Sequence, residues 1–339
     1  MASIVMADDG IAFDGATAAA GPLGGAETAF VGLAEALAAR GHRVAARSRC
    51  PAPLVHRSVD WAPLDSGVPD ECDLYIGNRS YRVIGLSPGA KRRLFWIHNP
   101  ARYLRKPRNL WPLARYRPTI VVSGPAHART VPAWLPRGGC EIIPYGILGT
   151  FRHTGPREPP PPIAVFTSNP RRGLDWLLDL WDARIAPAVP GAELHIYAGA
   201  AVYGGSGGER MRQVLERADG LQTIGIRRFA PVGRDALAAV LRGARVMLYR
   251  GDPGETFCLA VAEAQAMGVP AVVQPLGSLA ERVIDGVSGR VAHSDDAFVA
   301  AAIAVLRDDE IWRRWHLGAL ATRRGLSCDE VAARFERLL

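Results

Sequence analysis

The sequence predicts an α/β protein made of two parallel-sheet domains facing each other across a cleft. Three observations carry this reading. The 339 residues exceed one ordinary core and suit two domains of about 150 residues. Short apolar runs alternate with amphipathic stretches at helical spacing, as in strand–helix–strand units. The alternation breaks once, at the proline run 159–162, and then restarts.

Taken in order, SIVMA (3–7) is the first strand. AETAFVGLAEALAARG (26–41) has apolar residues at helical spacing and stops at Gly41, a favourable helix end. HRVAARS, DLYIGN, RLFWIH, TIVVSG and CEIIPYG continue the strand series. A run of prolines can be neither helix nor central strand, so 153–162 reads as a stiff linker. Beyond it come IAVF, a helix LDWLLDLWDARIAP, ELHIYAG, a helix GERMRQVLERADG and TIGIR. A helix RDALAAVLRGA, RVMLYR, a helix carrying Glu263 and AVVQP follow. The expected domains are 1–152 and 163–326. A terminal helix, 327–339, opens with a Ser327…Glu330 capping box and is expected to pack back on the first domain. YGGSGGER (203–210) is expected to be a flexible loop.

No apolar run approaches the 20 or so residues that span a membrane, and MASIVMADDG lacks a signal-peptide pattern. Five scattered cysteines form no CxxC or Cys/His cluster, which points to a reducing cytoplasm without a structural metal. The net charge of +8 is uneven. Between Leu74 and Cys140 there are 13 Lys and Arg and no Asp or Glu, so the rest sums to −5. Tyr81, Trp96, Tyr103, Trp111 and Tyr116 are interleaved with these cations. Residues 79–137 are therefore expected to meet an anionic partner: the inner face of a membrane or a phosphorylated acceptor, with nucleic acid the less expected choice. A solvated face remains the alternative, because Lys91 and Lys106 are the only lysines and Arg is the default cation.

The segment GETFCLAVAEAQAMGVPAVV (254–273) carries the most chemistry. A helix starting near Thr256–Phe257 would aim the backbone N–H groups of Thr256, Phe257, Cys258 and Leu259 at a phosphate. Glu263 would lie about 10 Å along that helix, placed to accept from a ribose diol. Its apolar surroundings imply burial, and a buried carboxylate needs partners. Glu255, in the preceding loop, suits a sugar hydroxyl. The alternative is a helix-start acid and a surface acid. His98 ends the strand RLFWIH, where cleft residues belong, or is an ordinary turn histidine. Gly24 and Gly25 either let backbone approach a ligand closely or simply turn the chain into the helix.

These segments resemble retaining glycosyltransferases of the GT-B fold, family 4 type (glycosyl transferases group 1). The family's E-x7-E followed by A-x-A/G-x-P-V-V stands here as Glu255, Glu263, Ala266, Gly268, Pro270 and AVV. GGAETAFVGLAEALAARGHRV (24–44), IIPYGI (142–147), RRGLDWLLDLW (171–181), ELHIYAG (193–199) and DGVSGRVA (285–292) match further landmarks in order. The resemblance implies two Rossmann-like domains, a nucleoside-diphosphate-sugar bound by the second, and a hydroxyl acceptor, lipid-linked among other choices, at the first. It implies a retaining, metal-independent, hexosyltransferase-like enzyme of envelope or extracellular glycan synthesis, with no cofactor beyond the donor. Glu255, His98 and Arg172 would be catalytic. Glu263, Arg171, Arg172, Thr256, Phe257, Cys258, Leu259 and Gly25 would hold the donor, the two arginines stabilising the leaving diphosphate.

Three departures from the family pattern stand out, and one further site stays open. Tyr145 replaces an Asn. The loop TSNPRRG is short, leaving the division between Arg171 and Arg172 open. Cys258 replaces a Gly and could make the site sensitive to thiol reagents. Asp8–Asp9, after the first strand, are the one place where an acidic metal site stays open. The competing function is a degenerate GT-B protein that binds nucleotide-sugar or nucleic acid without catalysis.

Overall fold

The computed structural model describes every residue except His153, Gly204, Ser206 and Arg324, and every side chain of the rest except Ala18, Ala19 and Tyr203. The expected loop 203–210 thus lies partly outside the described residues. The chain forms two compact units, Met1–Gly146 with Leu326–Leu339, and Ile147–Gly325.

The first unit holds eight strands: β1 (Ser3–Asp8), β2 (Arg43–Ser48), β3 (Leu54–His56), β4 (Val59–Pro63), β5 (Leu74–Asn78), β6 (Arg92–Trp96), β7 (Thr119–Val122) and β8 (Gly139–Ile142). Their order is β3-β4-β2-β1-β5-β6-β7-β8, parallel throughout except for the β3–β4 hairpin. β1 sits at the reversal of strand order, with Asp8 in register beside Asn78 and Asn78 beside Trp96. Ligands in open α/β sheets bind beyond the carboxyl ends of strands at such a reversal. The strands read as apolar runs because a parallel sheet is covered on both faces. Ile4, Met6, Leu74, Ile76, Phe95 and Trp96 are accordingly buried.

The helix Gly25–Ala39 lies between β1 and β2 in sequence. The terminal helix Cys328–Glu336 has the expected capping box: Ser327 accepts from the Glu330 N–H, and Glu330 accepts from the Ser327 N–H. It packs on the first unit, where Phe335 meets Trp96 edge-on at 5.4 Å, and Arg40 pairs with Asp329 and Glu336.

The second unit has six parallel strands: β9 (Ile163–Phe166), β10 (Glu193–Tyr197), β11 (Ile226–Phe229), β12 (Val246–Tyr249), β13 (Ala271–Val273) and β14 (Gly289–Val291). Their order is β11-β10-β9-β12-β13-β14, so strand order reverses between β9 and β12. The proline run belongs to this unit. The Pro160 carbonyl accepts from Arg245 and the Pro162 carbonyl from the Glu193 N–H.

Several elements differ from the sequence expectation. TIGIR becomes a 3-10 turn, Gln222–Ile224, ahead of β11, because Gly225 takes φ +81° between them. The helix expected over 174–187 is α-helical over Leu174–Leu180, widens to a π-turn at Trp181–Ile185 and resumes as a short α-turn at Ala186–Ala188. The β3–β4 hairpin, β14 and the helices Pro107–Tyr116 and Asp295–Arg307 are additions. The run Asp308–Asp309–Glu310 starts the helix Asp309–Thr322, with Asp308 accepting from the N–H groups of Glu310 and Ile311.

Candidate functional site

In the second unit the candidate residues gather at the strand-order reversal. Tyr249 ends β12, and the loop after it carries Glu255. Arg172 lies in the loop between β9 and the helix Leu174–Leu180. Its Nη1 is 2.6 Å from Oε1 of Glu255. The Tyr249 hydroxyl donates to the same Oε1 and lies 3.1 Å from Ser168 Oγ. Burial works against the Arg172 charge, but Glu255 outweighs it and holds the guanidinium above its ordinary pKa. Burial, with Cys258 and Glu255 adding, pushes the Tyr249 phenol well above its usual range, so it stays a donor.

The Glu255 loop is fixed by its own backbone. The Glu255 N–H donates to the Asp252 carbonyl, and the Glu255 carbonyl accepts from the Ser278 N–H at 3.0 Å. Gly277, at φ +57°, allows that approach: a Cβ there would lie 2.5 Å from the Glu255 carbonyl oxygen.

The expected helix start needs correction. The helix is Leu259–Ala266, and Cys258 precedes it at φ +63°, ψ +74°. A left-handed residue cannot continue a right-handed helix. Thr256 and Phe257 are therefore buried loop residues, and their N–H groups are not helix-terminal donors. Glu263 is the fifth helical residue, about 6 Å from the start rather than 10 Å.

Glu263 is 2% exposed, and Arg234 Nη1 reaches both its oxygens, at 2.8 and 3.0 Å. Burial raises the Glu263 pKa to about 7, with Arg234 opposing. Sequence reasoning missed Arg234. The signal was its place: the first residue of the helix Arg234–Gly243, where a cation opposes the helix dipole unless an acid holds it. It also missed Arg282, whose guanidinium lies 4.3 Å from the Phe257 ring centroid. Arg171 is exposed, its N–H donating to Asn169 Oδ1.

Cys258 is buried, and burial with the Glu255 charge drives its thiol well above the usual range. Both effects disfavour the thiolate, which is the reactive form of a thiol.

In the first unit a second polar group gathers at the ends of β1, β5 and β6. His98 Nδ1 is 2.5 Å from the Tyr145 hydroxyl, and Nε2 is 2.5 Å from Asn78 Oδ1. Asn78 Nδ2 donates to Asp8 Oδ2. Gly10 N–H donates to Asp8 Oδ1 at 2.6 Å, and Arg79 Nε lies 2.9 Å from Oδ2. Arg79 Nη2 pairs with Glu27 Oε1 at 2.7 Å. Burial, then Arg79 and His127, depress the His98 pKa well below the ordinary value, so the ring is neutral. Asp8 is thus engaged with protein donors, and Asp9 accepts from Ser80. Among the described residues, no group of three His, Cys, Asp or Glu is arranged for a metal. Gly25 opens the helix Gly25–Ala39 behind an extended Gly24, whose carbonyl accepts from the Thr28 hydroxyl at 2.8 Å.

Comparison with known proteins bears on the second unit. Residues 161–308 match the family Glycosyl transferases group 1. The matched stretch contains Arg171, Arg172, Arg234, Glu255 and Glu263. The D-inositol 3-phosphate glycosyltransferase of Xylanimonas cellulosilytica is 38% identical over 105 residues, which is 30% of this chain and 25% of that protein. The matched stretch thus spans a quarter of that relative. Among solved structures, sucrose-phosphate synthase from Thermosynechococcus elongatus aligns over 99% of this chain and 98% of its own, with a TM-score of 0.75 at 17% identity. Anabaena Alr3699/HepE in complex with UDP-glucose aligns over 100% of both chains, with a TM-score of 0.71 at 14% identity. These likenesses show the fold: two parallel-sheet, Rossmann-like units of the GT-B type.

Proposed function

We propose that this protein is a retaining glycosyltransferase that moves a sugar from a nucleoside-diphosphate donor to a hydroxyl acceptor. The Glu255 carboxylate carries the reading. One oxygen is anchored by Arg172 and Tyr249, inside a domain matching Glycosyl transferases group 1. A sugar hydroxyl would donate to the other oxygen. Arg172 would also face the diphosphate, with Arg171 beside it in sequence. Charge that builds on the leaving phosphate is stabilised by fixed cations. Glu263, oriented by Arg234, would accept from the ribose hydroxyls. The leaving phosphate itself would take the acceptor proton, so neither a metal nor a covalent nucleophile is needed. That one similar fold is known in complex with UDP-glucose supports a donor of this class.

The test is release of nucleoside diphosphate from a panel of UDP-, GDP- and ADP-sugars, with and without EDTA. Turnover in EDTA that falls by two orders of magnitude or more in Glu255→Gln supports the reading. Binding of a donor or of DNA with no turnover would favour the degenerate binder instead.

We further propose that the acceptor is presented at an anionic membrane, on the inner face, as in envelope glycan synthesis. Within the basic segment, Arg79 and Arg93 are committed to internal partners, but Arg108, Trp111 and Arg115 share one face of the helix Pro107–Tyr116. All three are exposed, Trp111 at 74%. A Trp between two arginines suits a headgroup layer. Among the described residues no helix is long and apolar enough to cross a membrane, so attachment would be peripheral. Sedimentation with acidic but not neutral vesicles tests it.

A further inference from the structure

We propose that Asp8 is a positioning residue: through Asn78 it fixes His98 as the neutral tautomer protonated on Nε2. Two donors and one cation converge on the Asp8 carboxylate: the Gly10 N–H and Asn78 Nδ2 by hydrogen bond, and the Arg79 guanidinium as an ion pair at 2.9 Å. Burial raises the Asp8 pKa, and Arg79, the Gly10 N–H and the Asn78 amide oppose it; as the acceptor-only carboxylate that these groups surround, Asp8 turns the Asn78 NH2 toward itself. The Asn78 carbonyl oxygen then faces the imidazole, 2.5 Å from Nε2. An oxygen with no hydrogen requires a donor opposite, so Nε2 carries the proton. In a neutral ring Nδ1 is then an acceptor, and the Tyr145 hydroxyl at 2.5 Å must donate to it. One buried negative charge thereby sets the direction of every hydrogen bond out to Tyr145.

The register of the sheet makes this possible. Asp8 and Asn78 are paired across β1 and β5, and His98 follows the end of β6 by two residues. The surrounding charges support the neutral ring. The ring is buried, and the Arg79 guanidinium, which also pairs with Asp8 and Glu27, disfavours a second positive charge beside it; His127 is itself buried and held to a pKa of about 4. Asp9 is held by Ser80. Tyr145 stands where the family pattern has Asn, so this chain meets the Nδ1 lone pair with a phenol, which can donate one proton and no more.

The consequence is that both ring nitrogens of His98 are committed inside the first unit. The inference does not need the transferase reading, because it concerns the resting protein.

The experiment is long-range proton–nitrogen correlation on the full chain with ¹⁵N-labelled histidine, His98 being assigned by its loss in His98→Gln. The wild type is expected to show a neutral, Nε2-protonated His98 that does not titrate between pH 8 and 5.5. Tyr145→Phe should keep that tautomer and change only the Nδ1 signal. Asp8→Asn should lose it to a mixture or to the Nδ1-protonated form. An Nδ1-protonated or charged His98 in the wild type overturns the proposal. So does Tyr145→Phe switching the tautomer, or folded Asp8→Asn leaving it unchanged. If Asp8→Asn does not fold, the wild type and Tyr145→Phe decide alone. Failure of donor turnover in the panel above would leave these spectra unaffected.

Discussion

Arg172 and Tyr249 converge on one oxygen of Glu255, Arg172 at 2.6 Å, although the three residues come from two different strand-to-helix loops and a strand end. Removing one member of a buried pair leaves an uncompensated charge, which commonly costs 3 to 5 kcal/mol. Arg172 is 40% exposed, and solvent screens the loss. Arg172→Met is therefore expected to destabilise the protein by about 1–3 kcal/mol. Urea unfolding measures it, and an unchanged midpoint would show that Glu255 does not depend on Arg172.

Glu263 makes stability depend on pH. Its folded-state pKa is about 7, against 4.5 for an ordinary glutamate. The folded state therefore holds the proton over a pH range where the unfolded chain has lost it. This contribution is complete below pH 4.5 and is lost as pH rises to 7, a change of about 3 kcal/mol. Wild type and Glu263→Gln should be unfolded in parallel at pH 5 and pH 8. The wild type should lose ground to the variant at the higher pH; a gap that does not move with pH refutes the assignment.

Cys258 holds a left-handed conformation that costs a residue with a side chain about 1–2 kcal/mol. Cys258→Gly should therefore raise stability by roughly 0.5–1 kcal/mol, part of the gain being offset by the freedom of Gly when unfolded. Thiol labelling gives a second check. Cys140 is exposed and should react in the native protein, whereas Cys258 should react only on unfolding. Fast native labelling at Cys258 would mean that the loop opens readily.

Binding to acidic vesicles should depend on the helix Pro107–Tyr116 rather than on basic charge in general. Each surface Arg contributes about 1 kcal/mol near an anionic leaflet. Arg108→Gln with Arg115→Gln should weaken partitioning roughly 10- to 30-fold. Trp111→Ala should weaken it further, and the Trp111 emission should shift to the blue on binding. Equal loss from neutralising Arg92 and Arg129 instead would point to diffuse attraction and away from this face.

Much of the architecture was legible in the chain. Apolar runs of strand length and amphipathic runs of helix length are local properties, set by side-chain periods of two and 3.6. They placed β1, β2, β5, β6, β7, β9, β10, β12 and β13, and the Ser327…Glu330 capping box marked the terminal helix. Glu255 stood out by its place in the loop before a helix, and Glu263 because an apolar context makes an acid costly without partners. The helix start itself was misplaced because nothing in ETFCL announces that Cys258 turns left-handed. That conformation is imposed by the loop, through the Asp252 turn and the Ser278 bond to Glu255.

What the sequence alone determined, then, was the two parallel α/β units and the acids at the second unit's core. The tertiary structure decided the partners. Glu263 meets Arg234, 29 residues away, and His98 meets Tyr145, 47 residues away. Neither pairing has a local cause. Strand order brings the ends of β1, β5 and β6 together, and β9 beside β12, and burial then requires each charge or ring nitrogen there to find a donor or acceptor.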